Sequence, residues 1–345
     1  MSSQSKKMEL PKSGTSARGA IVFEVLAPRR FRRTALAVAG ALAVASAVAS
    51  CTPSSSPPTA PSSPASPTPT PVAGTTSTPS STPSPSASAK PSSTAAQKVN
   101  ANYKKFDPKN FGKPTGGQNS WYPLVPGSQT LRDGSINRGS RKLHHQLRVT
   151  VTDVTKVVNG VNTVLILDQD IDAGQVGEAS IDYLAQDKSG NIWYLGSYTE
   201  IYEGGQFVNA VDAWLAGKNE AKAGVWMMAD PKEGMKYVEA HNSRETIRGE
   251  VTKVGDRKCV PFKCFKSLVV LEDGSEFKYY GPGVGHIATE PNYSGGEQEK
   301  EALVNVVKLT PKGLAELSAE ALKLDKHARK EAKKIFGNSD PAKRS

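Results

Sequence analysis

From residue 121 onward, apolar and polar side chains alternate in short runs. Leu147, Val149, Val151 and Val154 precede Val157-Val158, and Val161, Val164 and Ile166 lead to Asp168. A period of two marks strands that bury one face. Further runs cover Ile181 to Ala185, Ile192 to Leu195, Phe265 to Leu271 and Phe277 to Tyr280. Asp133-Gly134, Asn159-Gly160, Asp187 to Gly190, Gly204-Gly205 and Asp273-Gly274 lie between such runs. Residues that tolerate positive φ at these places predict tight hairpins. Consecutive hairpins predict an antiparallel meander rather than parallel βαβ units. The fold class is mainly β with a C-terminal helix, the sheet strongly curved or an open barrel.

The period changes after residue 309. Thr310-Pro311 supplies an N-cap and a proline for the first turn. Leu314, Leu317, Ala321, Leu324, Ala328 and Ile335 then recur at helical spacing, and Gly337 is a natural stop. Lys326, Arg329, Lys330, Lys333 and Lys334 crowd the last turns, where cations complement the helix dipole. The Leu stripe packs on the sheet in one reading. In the other the basic helix meets a membrane or a partner.

The N-terminal third has a different pattern. Arg29, Arg30, Arg32 and Arg33 precede an apolar run from Thr34 to Ala49, which ends in Val48-Ala49-Ser50-Cys51. A basic cluster, a short apolar core and small residues before a cut site form an export signal. The run is short for a bilayer-spanning helix. The last four residues resemble the bacterial lipobox, so Cys51 is expected to carry the lipid that anchors the mature chain to the outer face of the cell membrane. Residues 52 to 97 are almost wholly Ser, Thr, Pro and Ala, a composition that cannot bury a core. Extended at ~3.1 Å per residue, they could reach roughly 100 Å or more. The expected organisation is a signal peptide over 1–50, Cys51 with its linker over 51–97 and a β-rich domain over 98–309. A helix over 310–337 and a disordered tail over 338–345 complete it.

Charge adds little once that division is made. The chain has 44 basic and 33 acidic residues, a formal +11, of which residues 1 to 51 hold eight basic and two acidic. About +5 therefore remains for the mature chain, which points away from a nucleic-acid partner.

Apart from Cys51 the cysteines are Cys259 and Cys264, with Pro261 between them. In an exported chain an isolated pair reads as a structural disulfide. The five histidines show no metal spacing, and adjacent His144 and His145 point to opposite faces of a strand. Asp168, Asp170 and Asp172 resemble the start of a calcium loop, but Gly174 falls one place late, and the expected reading is a solvated strand face. No G-x-S-x-G motif or Gly-rich phosphate loop occurs. Glu200 and Glu203 flank aromatic strands, as carboxylates do in any meander. No catalytic residue, metal or cofactor is assigned. The aromatics Trp193, Tyr194, Tyr198, Trp214, Trp226 and Tyr280 are the candidate ligand-binding residues, on the concave side of the sheet. Core packing is the alternative for each.

Four blocks carry a family resemblance. Tyr122 to Gly127 resembles Y-P-L-x-P-G. Asp182 to Asp187 with Gly190 to Gly196 resembles D-x-x-A-Q-D…G-N-x-W-Y-x-G. Ala223-Gly224 through Pro231 resembles a third block, and Tyr279 to Gly285 matches Y-Y-x-P-G-V-G. In order over about residues 121 to 290, they resemble a family of uncharacterised secreted or lipid-anchored proteins of high-GC Gram-positive bacteria. The resemblance implies an envelope address and transfers no catalytic residue. The Cys pair and the basic helix depart from its pattern. The leading functional expectation is non-catalytic binding of a hydrophobic or envelope-derived ligand. A structural module engaging envelope proteins or cell wall is second, and a secreted hydrolase third.

Overall fold

The computed structural model describes residues 105–115, 119–138, 140–293 and 298–345. The export segment, Cys51 and the linker to residue 97 lie outside the described residues. Fourteen strands follow in order: β1 (Ser128–Arg138), β2 (Arg141–Val158), β3 (Val161–Asp172), β4 (Gln175–Gln186), β5 (Ile192–Glu203), β6 (Gln206–Leu215), β7 (Lys222–Met227), β8 (Lys236–His241), β9 (Thr246–Cys259), β10 (Cys264–Glu272), β11 (Glu276–Gly281), β12 (Gly285–Pro291), β13 (Gln298–Lys308) and β14 (Lys343–Arg344). Among the described residues, two α-helices, α1 (Pro311–Glu331) and α2 (Lys333–Phe336), precede the last strand.

The sheet closes. Its order runs β1-β13-β12-β11-β10-β9-β8-β7-β5-β4-β3-β2, and β2 pairs back to β1, so twelve strands form an antiparallel barrel. β6 and β7 lie end to end along one edge of β5. β6 pairs Gly196 to Glu203, and β7 pairs Ile192 to Tyr194. The turns at Asn159-Gly160, Gly204-Gly205 and Asp273-Gly274 all use positive φ. Asp133-Gly134, expected as a turn, instead lies inside β1. A Cβ on Gly134 would stand 2.0 Å from the Lys300 carbonyl oxygen, so glycine serves a close strand approach there.

α1 lies across β2, β3, β4 and β5. Thr310 accepts the Gly313 amide as N-cap, and Ser318, Ala321, Leu324, Asp325 and Ala328 form the buried stripe. The helix ends earlier than the pattern predicts. The chain breaks at Ala332, and α2 then places Phe336, fully buried, against Tyr183 and Tyr198. Polar bonds fix the helix as well. Asp325 accepts Lys156 Nζ at 2.8 Å, the Tyr183 hydroxyl at 2.9 Å and the Ala342 amide at 3.0 Å. Residues 338–345, expected as a disordered tail, are instead tied down. β14 pairs Val154 and Thr155 of β2, and Arg344 Nε lies 3.0 Å from Asp153 Oδ1. Burial opposes the Asp153 charge, but bonds from Arg344 and Ser318 overcome it and hold its carboxyl below the usual range.

Candidate functional site: a cleft between the C-terminal helix and the barrel wall

Direct pairing puts Leu147, Asp170 and Glu178 on one side of the sheet, and Val149, Asp168 and Ser180 beside them. These six residues, with Arg132, Trp226, Lys278, Tyr280, His286 and Glu301 from strands around the barrel, line a void of only about 60 Å³. That side is therefore the lumen, and it is filled. Several of its charges are paired within it. His145 Nδ1 lies 2.5 Å from Asp172 Oδ1, Lys278 Nζ lies 2.6 Å from Glu272 Oε1, and Arg132 Nε lies 3.5 Å from Glu301 Oε1. Asp168 and Asp170 are buried, so the solvated face expected of them is the barrel interior. A closed sheet gives such residues other strands to pair with instead of water.

The aromatics expected around a ligand separate into three places. Tyr194, Trp214, Trp226 and Tyr280 belong to the lumen. Tyr194 stacks edge-on against Trp214 at 4.9 Å and Trp226 at 5.0 Å, and its hydroxyl donates to Asp182 at 2.8 Å. Tyr122 joins them, 5.8 Å from Trp226 and 6.5 Å from Tyr280. Trp193 packs elsewhere against Phe106 and Phe111, its indole N–H donating to Asp187 at 2.8 Å. Tyr198 lies beneath α2. The motif residues have structural work here. Asp187 accepts the amides of Ser189 and Asn191, and Asn191 accepts the Ala229 amide, fixing the β4–β5 turn.

The larger opening is outside the barrel. α1, β3, β4 and the β5–β6 turn enclose a cleft of about 970 Å³, a volume typical of ligand sites. Leu167, Val176, Ala179 and Leu324 make its apolar floor. Glu200, Tyr202 and His327 stand at one end, and Lys323, Lys326 and Lys330 form the rim. Helical spacing puts these three lysines and His327 along one exposed flank. Glu200 is buried and shared. Its Oε1 lies 2.6 Å from His327 Nδ1, and its Oε2 accepts the Tyr202 hydroxyl at 2.5 Å. His327 Nε2 faces Glu331 Oε1 at 3.2 Å. Burial first, then Glu200, pushes the Tyr202 hydroxyl up, so it stays a donor at neutral pH. Glu331 is also met by Lys330 at 2.9 Å, and Glu320 accepts Gln169 Nε2 at 3.2 Å. Among the described residues, Lys323 and Lys326 have no carboxylate partner. The site was hidden in the sequence, because Glu200 and His327 stand 127 residues apart.

Cys259 and Cys264 form the disulfide read from the sequence, as a cross-strand pair at the β9–β10 turn. His144 is exposed beside Asp133 and His145 fully buried, on opposite faces as expected. Among the described residues, no cluster of His, Cys, Asp and Glu is arranged to hold a metal ion, and no helix is long and apolar enough to cross a membrane. Comparison with family models, curated proteins and solved structures finds no match to this chain.

Proposed function

We propose that this is a lipid-anchored protein of the bacterial envelope, held through Cys51, that binds an anionic amphiphile without chemical change. The cleft carries the reading. An apolar floor beside two lysines with no acidic partner suits an acyl or prenyl chain with an acidic head. The filled lumen leaves no comparable space inside the barrel. The acids at the cleft are engaged by His327, Tyr202, Lys330 and Gln169, which leaves Lys323 and Lys326 for the ligand. The same geometry favours binding over hydrolysis. Both ring nitrogens of His327 face carboxylates, and no Ser, Thr or Cys lines the cleft among the described residues. General base catalysis by His327 needs a free ring nitrogen within reach of a nucleophile.

Native mass spectrometry of residues 98–345 from the chain's own host tests the reading. The described part of this segment holds the whole closed sheet and α1. A stoichiometric adduct is expected, one that extracts as an acidic amphiphile and is lost with Lys323→Glu, Lys326→Glu. A clean apo mass, or an adduct the double variant retains, contradicts it.

A further inference from the structure

The β9–β10 ribbon presents a second, unrelated surface. Register sets Cys259 opposite Cys264 and Arg257 opposite Lys266. The disulfide, Arg257 and Lys266 therefore share one face of the ribbon, and all four residues are exposed. The other face is committed inward. Phe265 packs with Ile287 and Leu303, and Lys258 is held by Glu290 at 2.8 Å. Between the cysteines, Val260 packs on the same apolar cluster, and the Phe262 amide donates to the Leu303 carbonyl at 3.1 Å. That bond pins the tip, and Phe262 is 39 % exposed. Lys263 is exposed beside it, its Nζ 4.9 Å from the Phe265 ring and 5.6 Å from the Phe262 ring.

This arrangement has a local cost. Like charges directly opposite on adjacent strands destabilise the pair. Among the described residues no carboxylate meets Arg257, Lys263 or Lys266. The disulfide holds the three cations and the aromatic ring together without a binding-induced ordering step, and preorganisation of this kind lowers the entropy lost on association. Unneutralised cations on the same ribbon as an exposed aromatic residue match the chemistry of a bilayer interface, where the headgroups take the charges and the ring enters the boundary. A soluble polyanion would leave the ring unused.

We propose that the Cys259–Cys264 ribbon docks on an anionic bilayer, with Arg257, Lys263 and Lys266 on the headgroups and Phe262 in the interface. The contact does not depend on the cleft ligand. Each cation contributes about fivefold in partitioning, and the three together on the order of 100-fold. Salt weakens the contact by screening.

The test is flotation of residues 98–345, which lack the expected lipid, with two kinds of vesicle. One contains phosphatidylglycerol and phosphatidylcholine in equal parts, and the other phosphatidylcholine alone. Binding is expected only to the first, and it falls as salt rises. Arg257→Gln with Lys266→Gln should cost on the order of 25-fold, at about fivefold per cation. Phe262→Ser should weaken binding at every salt concentration, and Arg257→Lys should retain it. Thermal melts confirm that each variant is folded. Absence of wild-type binding overturns the proposal. So does full binding by the ribbon variants when Lys326→Gln, Lys330→Gln abolishes it, which would put the contact on α1. Equal affinity for soluble polyphosphate, with no effect of Phe262→Ser, also overturns it.

Discussion

The barrel lumen and the cleft beneath α1 both combine aromatic, acidic and basic side chains, yet they are built to opposite ends. In the lumen the charges meet one another and the rings stack, leaving a void of about 60 Å³. In the cleft the acids are engaged, two lysines are left over, and about 970 Å³ stays open. Enclosure makes the difference. A buried polar group must find a partner or lose its solvation, so a closed lumen rich in carboxylates has to satisfy itself. A helix laid across the outside of a sheet touches it along one stripe, and space remains beside that stripe for a ligand.

Substitutions should separate the two regions. Tyr194→Ala removes a fully buried ring between two tryptophans. It should cost about 3–5 kcal/mol in denaturant unfolding. Val176→Ala, on the cleft floor, should cost about 1 kcal/mol and weaken the amphiphile instead. Similar stability losses would mean that the two regions are packed alike. Lys156→Ala leaves the Asp325 carboxylate without its cation in a buried site. A loss of about 3 kcal/mol is expected, and hydrogen exchange should rise along α1 before it rises in β9 to β13.

A gain should come from Glu239. Burial, then Glu272, pushes its carboxyl well above the ordinary 4.5. The folded state thus holds a proton that the unfolded state releases, and stability falls as pH climbs from 4.5 toward the raised folded value. Glu239→Gln should raise the melting temperature at neutral pH, with the advantage vanishing below pH 4.5. Equal melting temperatures at both pH values would contradict the cost assigned to this buried acid. The smallest stability effect belongs to Lys323→Glu, Lys326→Glu, within about 0.5 kcal/mol of wild type in a melt. Titration of dodecyl phosphate should nonetheless show affinity falling at least about fivefold per charge.

Much of the fold was legible because hairpins carry local signals. Asn159-Gly160 and Asp273-Gly274 needed only their own backbone preferences to mark turns. Alternation also separated His144 from His145. It could not say which side of the sheet becomes enclosed, so Asp168 and Asp170 read as solvated. Asp133-Gly134 misled for a related reason, since its glycine answers to Lys300 on β13, far along the chain. The cleft was the least legible part. Glu200 and His327 meet only once α1 crosses the barrel, and its crossing is set by Lys156, Tyr183 and Asp325, which lie far apart in the sequence. The start of the helix at Thr310-Pro311 and its Leu stripe were readable. The break at Ala332, which lets Phe336 bury itself, was not.

Photocrosslinking would show whether the ligand lies outside the barrel. An alkyl phosphate bearing a diazirine at the chain end would be bound to residues 98–345, irradiated, and the modified peptides sequenced. Labels are expected on Leu167, Val176, Ala179 or Leu324, removed by competing dodecyl phosphate. Labels on Trp226, Tyr280 or their lumenal neighbours would contradict a ligand site outside the barrel.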